Sequence, residues 1–313
     1  MTYVYSAYGL TIEVPFACPV LVPLPAGACP AADVVVREGP VPLRLPGSLV
    51  SEQMWDAVPG VYLLRSGPGG GRFLIEEGEV TFSRDPGCDD VVLARRFVDW
   101  VLGAVLRQRG IVVLHANAVE IAGGAILISG ESGAGKSTTT TALLERGCRM
   151  LSDDVAVLRL TSVAGQFVVA PGAAQTHLTK EAADRLGFRV DLAQLQPWRR
   201  MKAAISTHGC MATGASRLLA IYVLQPSGGE GITISKLLGY EKFAALQEGV
   251  YGTVLFAQDH AALFPLLSQV VEAVPMFRIA RPRSKWSVAE VSDAVIDDAS
   301  RLAMLGVGAA GRR

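Results

Sequence analysis

The sequence predicts an α/β fold in two parts, a small β-rich domain followed by an α/β domain built around a phosphate-binding loop. Three observations lead to this prediction. Residues 130–137 read GESGAGKS and fit the pattern G-x-x-x-x-G-K-[ST]. Residues 1–87 contain short β-type runs separated by Pro and Gly. Of the 313 residues, 50% are hydrophobic and only 19% are charged, a composition that favours a sizeable packed core over disorder.

Residues 1–87 are predicted to form the β-rich domain. The segment contains no cluster of acids, His or Cys with catalytic spacing. We therefore expect it to serve in peptide docking, oligomer contact or scaffolding, three roles that the sequence leaves open. Its strands are expected at Tyr3–Ile12, Asp33–Arg37, Gly60–Leu64, Arg72–Ile75 and Glu79–Phe82.

A helix over residues 90–109 is predicted to bridge the two domains, within a connecting segment of residues 88–110. Apolar residues recur on one face of this helix, and Asp89 or Asp90 can accept hydrogen bonds from the N–H groups of its first turn. Gly110 is expected to end it.

The phosphate-binding loop has the local context that its chemistry needs. Ala125–Ile128 is suited to a buried strand, and residues 137–146 read as a helix that ends before a glycine. Glycines let the loop N–H groups turn towards phosphate oxygens, and the helix N-terminus adds its dipole. Lys136 is expected to reach the β- and γ-phosphates, and the Ser137 hydroxyl to hold Mg²⁺. The predicted nucleotide-binding set is Gly130, Ser132, Gly133, Ala134, Gly135, Lys136, Ser137 and Thr138.

Two adjacent acids, Asp153 and Asp154, follow the next apolar run. An acid this early after a phosphate-binding loop is typical of small kinases, in which it binds Mg²⁺ or accepts the proton of the attacking hydroxyl. We predict that Asp153 is the general base and that Asp154 binds the metal together with Ser137. The alternative is that the acid pair forms a turn or a helix cap.

His115 lies in a predicted strand, residues 111–116, that leads through a hairpin into the strand before the loop. Because this connection places His115 near the phosphates, we predict that it belongs to the catalytic site with Lys136 and the two aspartates. A purely structural His is the alternative. The remaining histidines are interpreted as structural or surface residues: His177, His208 and His260.

Four cations are candidates for substrate binding. Arg199, Arg200 and Lys202 lie in a basic segment that could close over the phosphates or hold an acidic substrate. Arg217 stands at the start of a later apolar run. A solvated loop is the alternative interpretation of the basic segment.

The α/β domain is predicted to span residues 111–305. Further strands are expected at 155–160, 167–170, 218–224, 232–234 and 276–280, and further helices at 180–186, 240–249 and 259–274. Ser287 and Glu290 have the spacing of a capping box for a terminal helix that reaches about Leu305. Residues 306–313 are expected to be a mobile tail.

Composition indicates which classes of binding partner and which cellular compartment to expect. The formal net charge is +0, so no global basic field favours nucleic acid or an anionic membrane. The 5 cysteines are scattered without a C-x-x-C pair, which favours reduced thiols in a cytoplasm. The sequence has neither a signal-peptide pattern nor an apolar run long enough to span a membrane. We expect a cytoplasmic protein, and the sequence is compatible with a homo-oligomer.

The order of these motifs resembles the catalytic domain of HPr kinase/phosphorylase. The run LHANAV, GESGAGKST and MLSDDV is most similar to the HPr-kinase-like proteins encoded with lasso-peptide biosynthesis genes, and the strong likeness covers about residues 108–160. Two departures separate the chain from HPr kinases. Thr138 stands where those proteins usually have Glu, and their [LIVM]-E-[IV]-R-G segment and C-terminal loop have no equivalent.

This resemblance implies a P-loop kinase domain of the HPr-kinase type, with a fold like that of phosphoenolpyruvate carboxykinase, that uses Mg²⁺ and ATP, with GTP left open. It implies phosphorylation of a peptide serine, at the C-terminus of a lasso-peptide precursor. The alternatives are a small-molecule kinase of the shikimate or gluconate type, an HPr-type protein kinase/phosphorylase, and a regulatory nucleotide-binding module without catalysis.

Overall fold

The computed structural model describes residues 1–25, 31–51, 54–67, 69–163, 165–191, 195–196, 201–252 and 260–310. The chain divides into two units, Met1–Val113 with Val250–Leu266, and Leu114–Gly249 with Leu267–Arg313. Residues 250–266, which the sequence analysis placed in the α/β domain, therefore group with the N-terminal residues, as does the bridging helix.

The first unit is built on a mostly antiparallel sheet. Its strands are β1 (Tyr3–Ala7), β2 (Leu10–Val14), β3 (Val22–Pro23), β4 (Val34–Glu38), β5 (Val50–Ser51), β6 (Trp55–Val58), β7 (Val61–Arg65), β8 (Arg72–Glu76) and β9 (Glu79–Ser83). Their order is β3-β1-β2-β4-β9-β8-β7-β6-β5, and β4 runs parallel to both β2 and β9. The prediction of a β-rich N-terminal region is confirmed.

The predicted strand Tyr3–Ile12 is in fact a hairpin. Tyr8 and Gly9 have φ values of 55° and 72°, which form the tight turn between β1 and β2. The alternation of apolar residues continues across both strands, so the turn could not be recognised from periodicity. Trp55–Val58 was missed as a strand for a different reason, since this short run lacks β-branched residues at its centre.

The bridging helix is continuous but not uniform. It consists of α1 (Asp90–Arg96), a π-helical turn (Phe97–Val101) and α2 (Leu102–Gln108). Asp89 Oδ1 accepts a hydrogen bond from Val92 N at 2.8 Å, which confirms the predicted cap. The buried Phe97 ring packs edge-on against Phe16, with 6.2 Å between ring centroids, and so joins the helix to the sheet core.

The rest of the chain supplies the α/β elements. Its helices are α3 (Lys136–Glu145), α4 (Lys180–Arg185), α5 (Tyr240–Glu248), α6 (His260–Ala273) and α7 (Val288–Ala310). The terminal helix thus extends beyond the predicted end near Leu305. Its strands are β10 (Val112–Leu114), β11 (Asn117–Ile121), β12 (Gly124–Ser129), β13 (Arg149–Ser152), β14 (Ala156–Leu160), β15 (Phe167–Val169), β16 (Gln175–Thr179), β17 (Lys202–Ser206), β18 (Ser216–Ser227), β19 (Thr233–Lys236) and β20 (Met276–Pro282).

The main sheet of the second unit runs β14-β15-β18-β12-β11-β13, with β20 beside the second half of β18 and β19 beside β20. β12 and β20 are parallel to β18, whereas β11 is antiparallel to both of its neighbours, β12 and β13. β16 and β17 pair with each other as a separate antiparallel ribbon. Two of these strands, β16 and β17, were not predicted, because they contain little apolar alternation.

α3 and α7 cover one face of this sheet. Leu143 of α3 and Val291, Val295 and Ala299 of α7 are buried against Ile126 and Ile128 of β12. Each fully buried aliphatic side chain of this size stabilises the fold by about 1.5–3 kcal/mol, so the strand that carries the phosphate-binding loop is firmly held. Within the part of the chain that the structure describes, no helix is long and apolar enough to cross a bilayer.

Candidate functional site

Chain topology brings the phosphate-binding loop and the acid pair to the same end of neighbouring strands. β12 ends at Ser129, and the antiparallel partner β11 begins opposite that end, at Asn117. β13 is antiparallel to β11, so it ends at the same edge, where Ser152 pairs with Ala118. The phosphate-binding loop and the acid pair therefore emerge side by side.

The loop adopts a backbone that needs its glycines. Gly130, Gly133 and Gly135 have φ values of 133°, 88° and 103°, which residues with a side chain rarely adopt. At Gly130 a Cβ atom would also lie 2.4 Å from the carbonyl oxygen of Leu224 on β18. The loop consequently packs against the neighbouring strand and turns into the N-terminus of α3, a geometry suited to an anion.

Lys136 is the first residue of α3 and lines the cleft. Its ammonium group donates to the carbonyl oxygens of Gly130 at 2.8 Å and Glu131 at 3.4 Å, so the side chain folds back over the loop. Burial lowers the pKa of this lysine, and the nearby Asp154 opposes that effect. The loop residues Ser132, Gly133, Gly135, Ser137 and Thr138 line the same cleft.

Asp153 is held by hydrogen bonds on both carboxylate oxygens. Oδ1 accepts from Ser137 Oγ at 2.9 Å and from Asn117 Nδ2 at 2.6 Å. Oδ2 accepts from the backbone N–H of His177 at 2.9 Å, and the Nδ1 atom of that ring lies 3.3 Å away. The Asp153 side chain is only 2% exposed, so this carboxylate is fixed at the first turn of α3 and has little freedom to move.

Asp154 faces the cleft instead. Its φ of 64° is left-handed, a conformation that Asp tolerates better than most residues, and its side chain is 24% exposed. The backbone is fixed by Asn117 Oδ1, which accepts from Asp154 N at 3.2 Å. The change of backbone direction separates the two acids, so that the Asp153 carboxylate is buried while Asp154 lines the cleft.

His115 stands beside Asp154. Its Nδ1 atom lies 3.1 Å from the Asp154 carbonyl oxygen, and its Nε2 atom lies 4.0 Å from Asp154 Oδ1. If Nδ1 carries the proton that this carbonyl accepts, Nε2 is left as the free acceptor facing the carboxylate. Partial burial lowers the pKa of His115, Asp154 raises it, and Lys136 lowers it further. The net direction is downward, so the ring is neutral at pH 7.

The cleft has a volume of about 560 Å³ and is strongly cationic. Its volume lies in the range of small-molecule sites. Two acids, Asp154 and Glu181, also line it. The lining cations are Lys136, Arg185, Lys202, Arg281, Arg283 and Lys285. An excess of positive charge around a phosphate-binding loop favours a polyanionic ligand.

The four cations predicted to bind substrate are distributed differently. Lys202 lines the cleft, at the start of β17. Arg199 and Arg200 lie outside the described residues. Arg217 is corrected by the fold, because it pairs with Val168 at the beginning of β18, whereas the loop meets β18 near Val223. Six residues of β18 separate Arg217 from that point by about 20 Å. Arg217 therefore lies at the opposite end of the strands from the loop.

Sequence reasoning missed three residues that hydrogen-bond to the acid pair or to the loop, besides the lining cations Arg185, Arg283 and Lys285. Asn117 bonds to both aspartates, His177 bonds to Asp153, and Arg281 donates through Nε and Nη2 to the Ala134 carbonyl oxygen at 2.9 and 2.8 Å. From the sequence, His177 is interpreted as a structural or surface residue. Only Asn117 carried a local signal, as a polar residue within an apolar strand; the other two reach the site through tertiary pairing.

The residues present fit a divalent cation of the magnesium type. Ligand atoms of Asp153, Asp154 and His177 lie within 4.8 Å of one another, and Ser137 Oγ touches Asp153. Mg²⁺ prefers oxygen ligands, so the Ser137 hydroxyl and the carboxylates are the suitable donors and the imidazole is not.

Comparison with known proteins points to one family over part of the chain. Residues 110–179 match the family model "HPr Serine kinase C-terminal domain". The chain is 43% identical over 61 residues to the HPr kinase/phosphorylase of Treponema pallidum strain Nichols, and equally to that of a second strain, of subspecies pallidum. The match covers 20% of this chain and 18% of each relative, so the chain spans about a fifth of the length of these curated relatives.

Among solved structures, the Hpr(Ser) kinase/phosphatase from Coxiella burnetii matches 61% of this chain and 97% of its own, at 14% identity. Its TM-score of 0.33 is too low to establish a common overall fold. The resemblance predicted from the motif order is therefore confirmed by sequence: the chain is HPr-kinase-like over residues 110–179.

Proposed function

We propose, from the premise that residues 110–179 are of the HPr-kinase type, that this chain is a kinase that transfers a phosphoryl group from Mg²⁺·ATP to a peptide serine. One observation supports this above the others. Ser137 Oγ donates to Asp153 Oδ1 at 2.9 Å, at the first turn of the helix that follows a phosphate-binding loop. A hydroxyl and a carboxylate so paired are the donors that phosphoryl-transfer enzymes of the P-loop class use for Mg²⁺.

The geometry favours a reversal of the roles that the sequence analysis gave to the two acids. Asp153 has both oxygens engaged, one of them by Ser137, and we assign it to the metal side. Asp154 lines the cleft with its carboxylate partly exposed, so it is the acid that an incoming hydroxyl can reach. A general base must lie within hydrogen-bond reach of the proton that it accepts.

In the proposed reaction, Lys136 and the loop N–H groups hold the phosphates. The serine hydroxyl gives its proton to Asp154 while its oxygen bonds to the γ-phosphorus, and the bond from phosphorus to the ADP oxygen breaks with its electrons on ADP. Mg²⁺ held by Ser137 and Asp153 would neutralise charge on the phosphate oxygens. A neutral His115 leaves the basicity of Asp154 intact, because a cation at 4.0 Å would favour the deprotonated carboxylate.

The acceptor that we propose is the C-terminal serine of a lasso-peptide precursor, with the reaction taking place in the cytoplasm. The motif run LHANAV, GESGAGKST and MLSDDV supports this choice over HPr, as does Thr138 in place of the usual Glu. The cationic cleft is also compatible with a peptide that ends in a carboxylate, since a guanidinium can hold a carboxylate through two parallel hydrogen bonds.

The test compares acceptors under identical conditions. Each reaction contains the chain, Mg²⁺·ATP and one acceptor: precursor peptide, HPr, shikimate or gluconate. The masses of the products are measured by mass spectrometry. We expect a gain of about 80 Da, one HPO₃ group, on the last serine of the peptide. A peptide with that serine replaced by alanine, and the Lys136→Ala enzyme, are the matched controls. ATP turnover with a metabolite or with HPr, and none with the peptide, would refute the proposed acceptor.

A further inference from the structure

A second helix N-terminus faces the cleft. The first is that of α3, which the phosphate-binding loop explains. The second is that of α7, whose flanking residues Ser287 and Val288 line the cleft as well. α7 has 23 residues, so its aligned peptide dipoles place partial positive charge at this end.

Ser287 carries a buried hydroxyl that makes no hydrogen bond. The residue is 2% exposed, and its Oγ atom has no partner among the described residues. The helix begins where the sequence predicted, with Val291 N donating to Ser287 O at 3.0 Å. The expected capping box does not form, because the Glu290 carboxylate accepts from Lys285 Nζ at 2.8 Å instead. An unpartnered buried hydroxyl costs about 1–3 kcal/mol, which points to a ligand that would satisfy it.

Two guanidinium groups line the same cleft as this hydroxyl, and both precede it in the sequence. Arg281 and Arg283 both line the cleft, and neither forms an ion pair with a carboxylate in the part of the chain that the structure describes. Burial lowers the pKa of Arg281, and the positive charge of Arg283 lowers it further. Two neighbouring positive charges that no carboxylate neutralises favour the binding of an anion. Lys285 contributes less, since Glu290 neutralises it.

We propose that Ser287, Arg281, Arg283 and the first turn of α7 form a second oxyanion subsite, distinct from the phosphate-binding loop. The ligand group is a carboxylate or a phosphate. Its source rests on the proposed function: it belongs either to the acceptor, as a terminal carboxylate, or to the nucleotide, as a phosphate that extends beyond the loop. Arg281 connects the two subsites, because its guanidinium also binds the Ala134 carbonyl oxygen of the loop.

The test measures anion binding directly. Radiolabelled inorganic phosphate is equilibrated by dialysis against the full chain loaded with Mg²⁺·ADP, and the affinity for ADP is measured by calorimetry. The variants are Arg283→Gln and Ser287→Ala. Ser287→Ala removes no capping bond, since the hydroxyl makes none. Arg301→Gln is the matched control, because Arg301 lies on the same helix with its side chain 72% exposed and does not line the cleft.

A fall in phosphate binding and a fall in ADP affinity would each support the subsite, and they distinguish whether its ligand belongs to the acceptor or to the nucleotide. Phosphate binding to the ADP-loaded chain that falls about tenfold or more in both variants, and not in Arg301→Gln, assigns the subsite to the acceptor. Competition by a free-acid peptide but not by its C-terminal amide would then identify the carboxylate. A similar fall in ADP affinity assigns the subsite to the nucleotide. Unchanged phosphate and ADP binding in both variants overturns the proposal.

Failure of the proposed function remains distinguishable. A chain that phosphorylates no peptide refutes the proposed peptide acceptor, and one that transfers phosphate to none of the four acceptors refutes the kinase assignment. Phosphate binding that survives Lys136→Ala and is lost in Arg283→Gln still supports the subsite. Phosphate binding that is lost in Lys136→Ala and kept in Arg283→Gln assigns the anion to the loop alone and overturns it.

Discussion

Asn117 Nδ2 donates to Asp153 Oδ1 over 2.6 Å, and through this contact the first residue of β11 fixes the acid that follows β13. The same amide donates to Thr140 Oγ1 at 3.1 Å, and its oxygen accepts from Asp154 N at 3.2 Å. One buried side chain thus orients both aspartates and the helix that carries Ser137.

Asn117→Ala is expected to lower the free energy of unfolding by about 1–3 kcal/mol, because it leaves buried polar groups without partners. It should also raise the Mg²⁺ concentration needed for half-maximal activity, since Asp153 loses a positioning contact. Thr140→Val removes only one of these contacts and is the matched control, with a smaller expected loss. Chemical denaturation and a Mg²⁺ titration provide the readouts. An Asn117→Ala variant equal to wild type in both would show that the contact positions nothing.

Lys136→Ala is expected to reduce phosphoryl transfer at least 100-fold, because the ammonium group stabilises charge that develops on the γ-phosphate. The fold should persist, since the alanine retains the helix and the loop glycines. Lys236→Ala, at an exposed site on β19, is the control for loss of a lysine. Turnover at the wild-type rate in Lys136→Ala would contradict the nucleotide site, provided that thermal unfolding shows both variants folded.

The two acids should respond differently to removal of charge. Asp153→Asn is expected to weaken metal binding, so raised Mg²⁺ restores part of the activity by mass action. Asp154→Asn is expected to lower kcat by about 100- to 10,000-fold with no rescue, because it removes the general base. Rates at several Mg²⁺ concentrations separate the two roles. Rescue of Asp154→Asn and not of Asp153→Asn would restore the assignment made from sequence.

Gly130→Ala is expected to weaken both folding and nucleotide binding. A Cβ atom there lies 2.4 Å from the Leu224 carbonyl oxygen, and its φ of 133° is unfavourable for alanine. Gly147→Ala is the matched control, because its φ of 86° is also positive while nothing lies within 4 Å of the added atom. That control should lose only the backbone contribution of about 1–2 kcal/mol and bind ADP normally. Equal losses in the two variants would rule out a role for the close approach to Leu224.

The pH dependence of kcat/KM should show the protonation of His115. Its folded pKa is lowered below 6.5, chiefly by burial, so the ring is neutral at pH 7 and becomes charged only as the pH falls below that value. The new cation lies beside Asp154 and makes it a weaker base, so kcat/KM should fall in acid. His115→Gln cannot take up this proton, and its profile should lack this part of the acid limb. An identical acid limb in wild type and variant would assign the titration to another group.

The sequence alone determined the features that are encoded in consecutive residues. The loop over 130–137, the helix after it and the acid pair are contiguous or nearly so, and two of the three loop glycines with positive φ, Gly130 and Gly135, are specified by the motif itself. The likeness to HPr kinase followed from the order of these motifs and is confirmed over residues 110–179. The bridging helix and its cap at Asp89 were predictable for the same reason, since capping is a local interaction.

Tertiary structure alone decided which distant residues join the site and what each acid faces. Antiparallel pairing of β11 with β12 and β13 brings Asn117 to Asp153, and parallel pairing of β18 with β20 brings Arg281 to the loop. Parallel pairing of β18 with β12 places Arg217 at the end of β18 that lies away from the loop. The left-handed φ of Asp154 turns one carboxylate into the cleft and leaves the other buried. Sequence periodicity reports which residues are buried, but strand register and backbone direction depend on contacts between segments far apart in the chain.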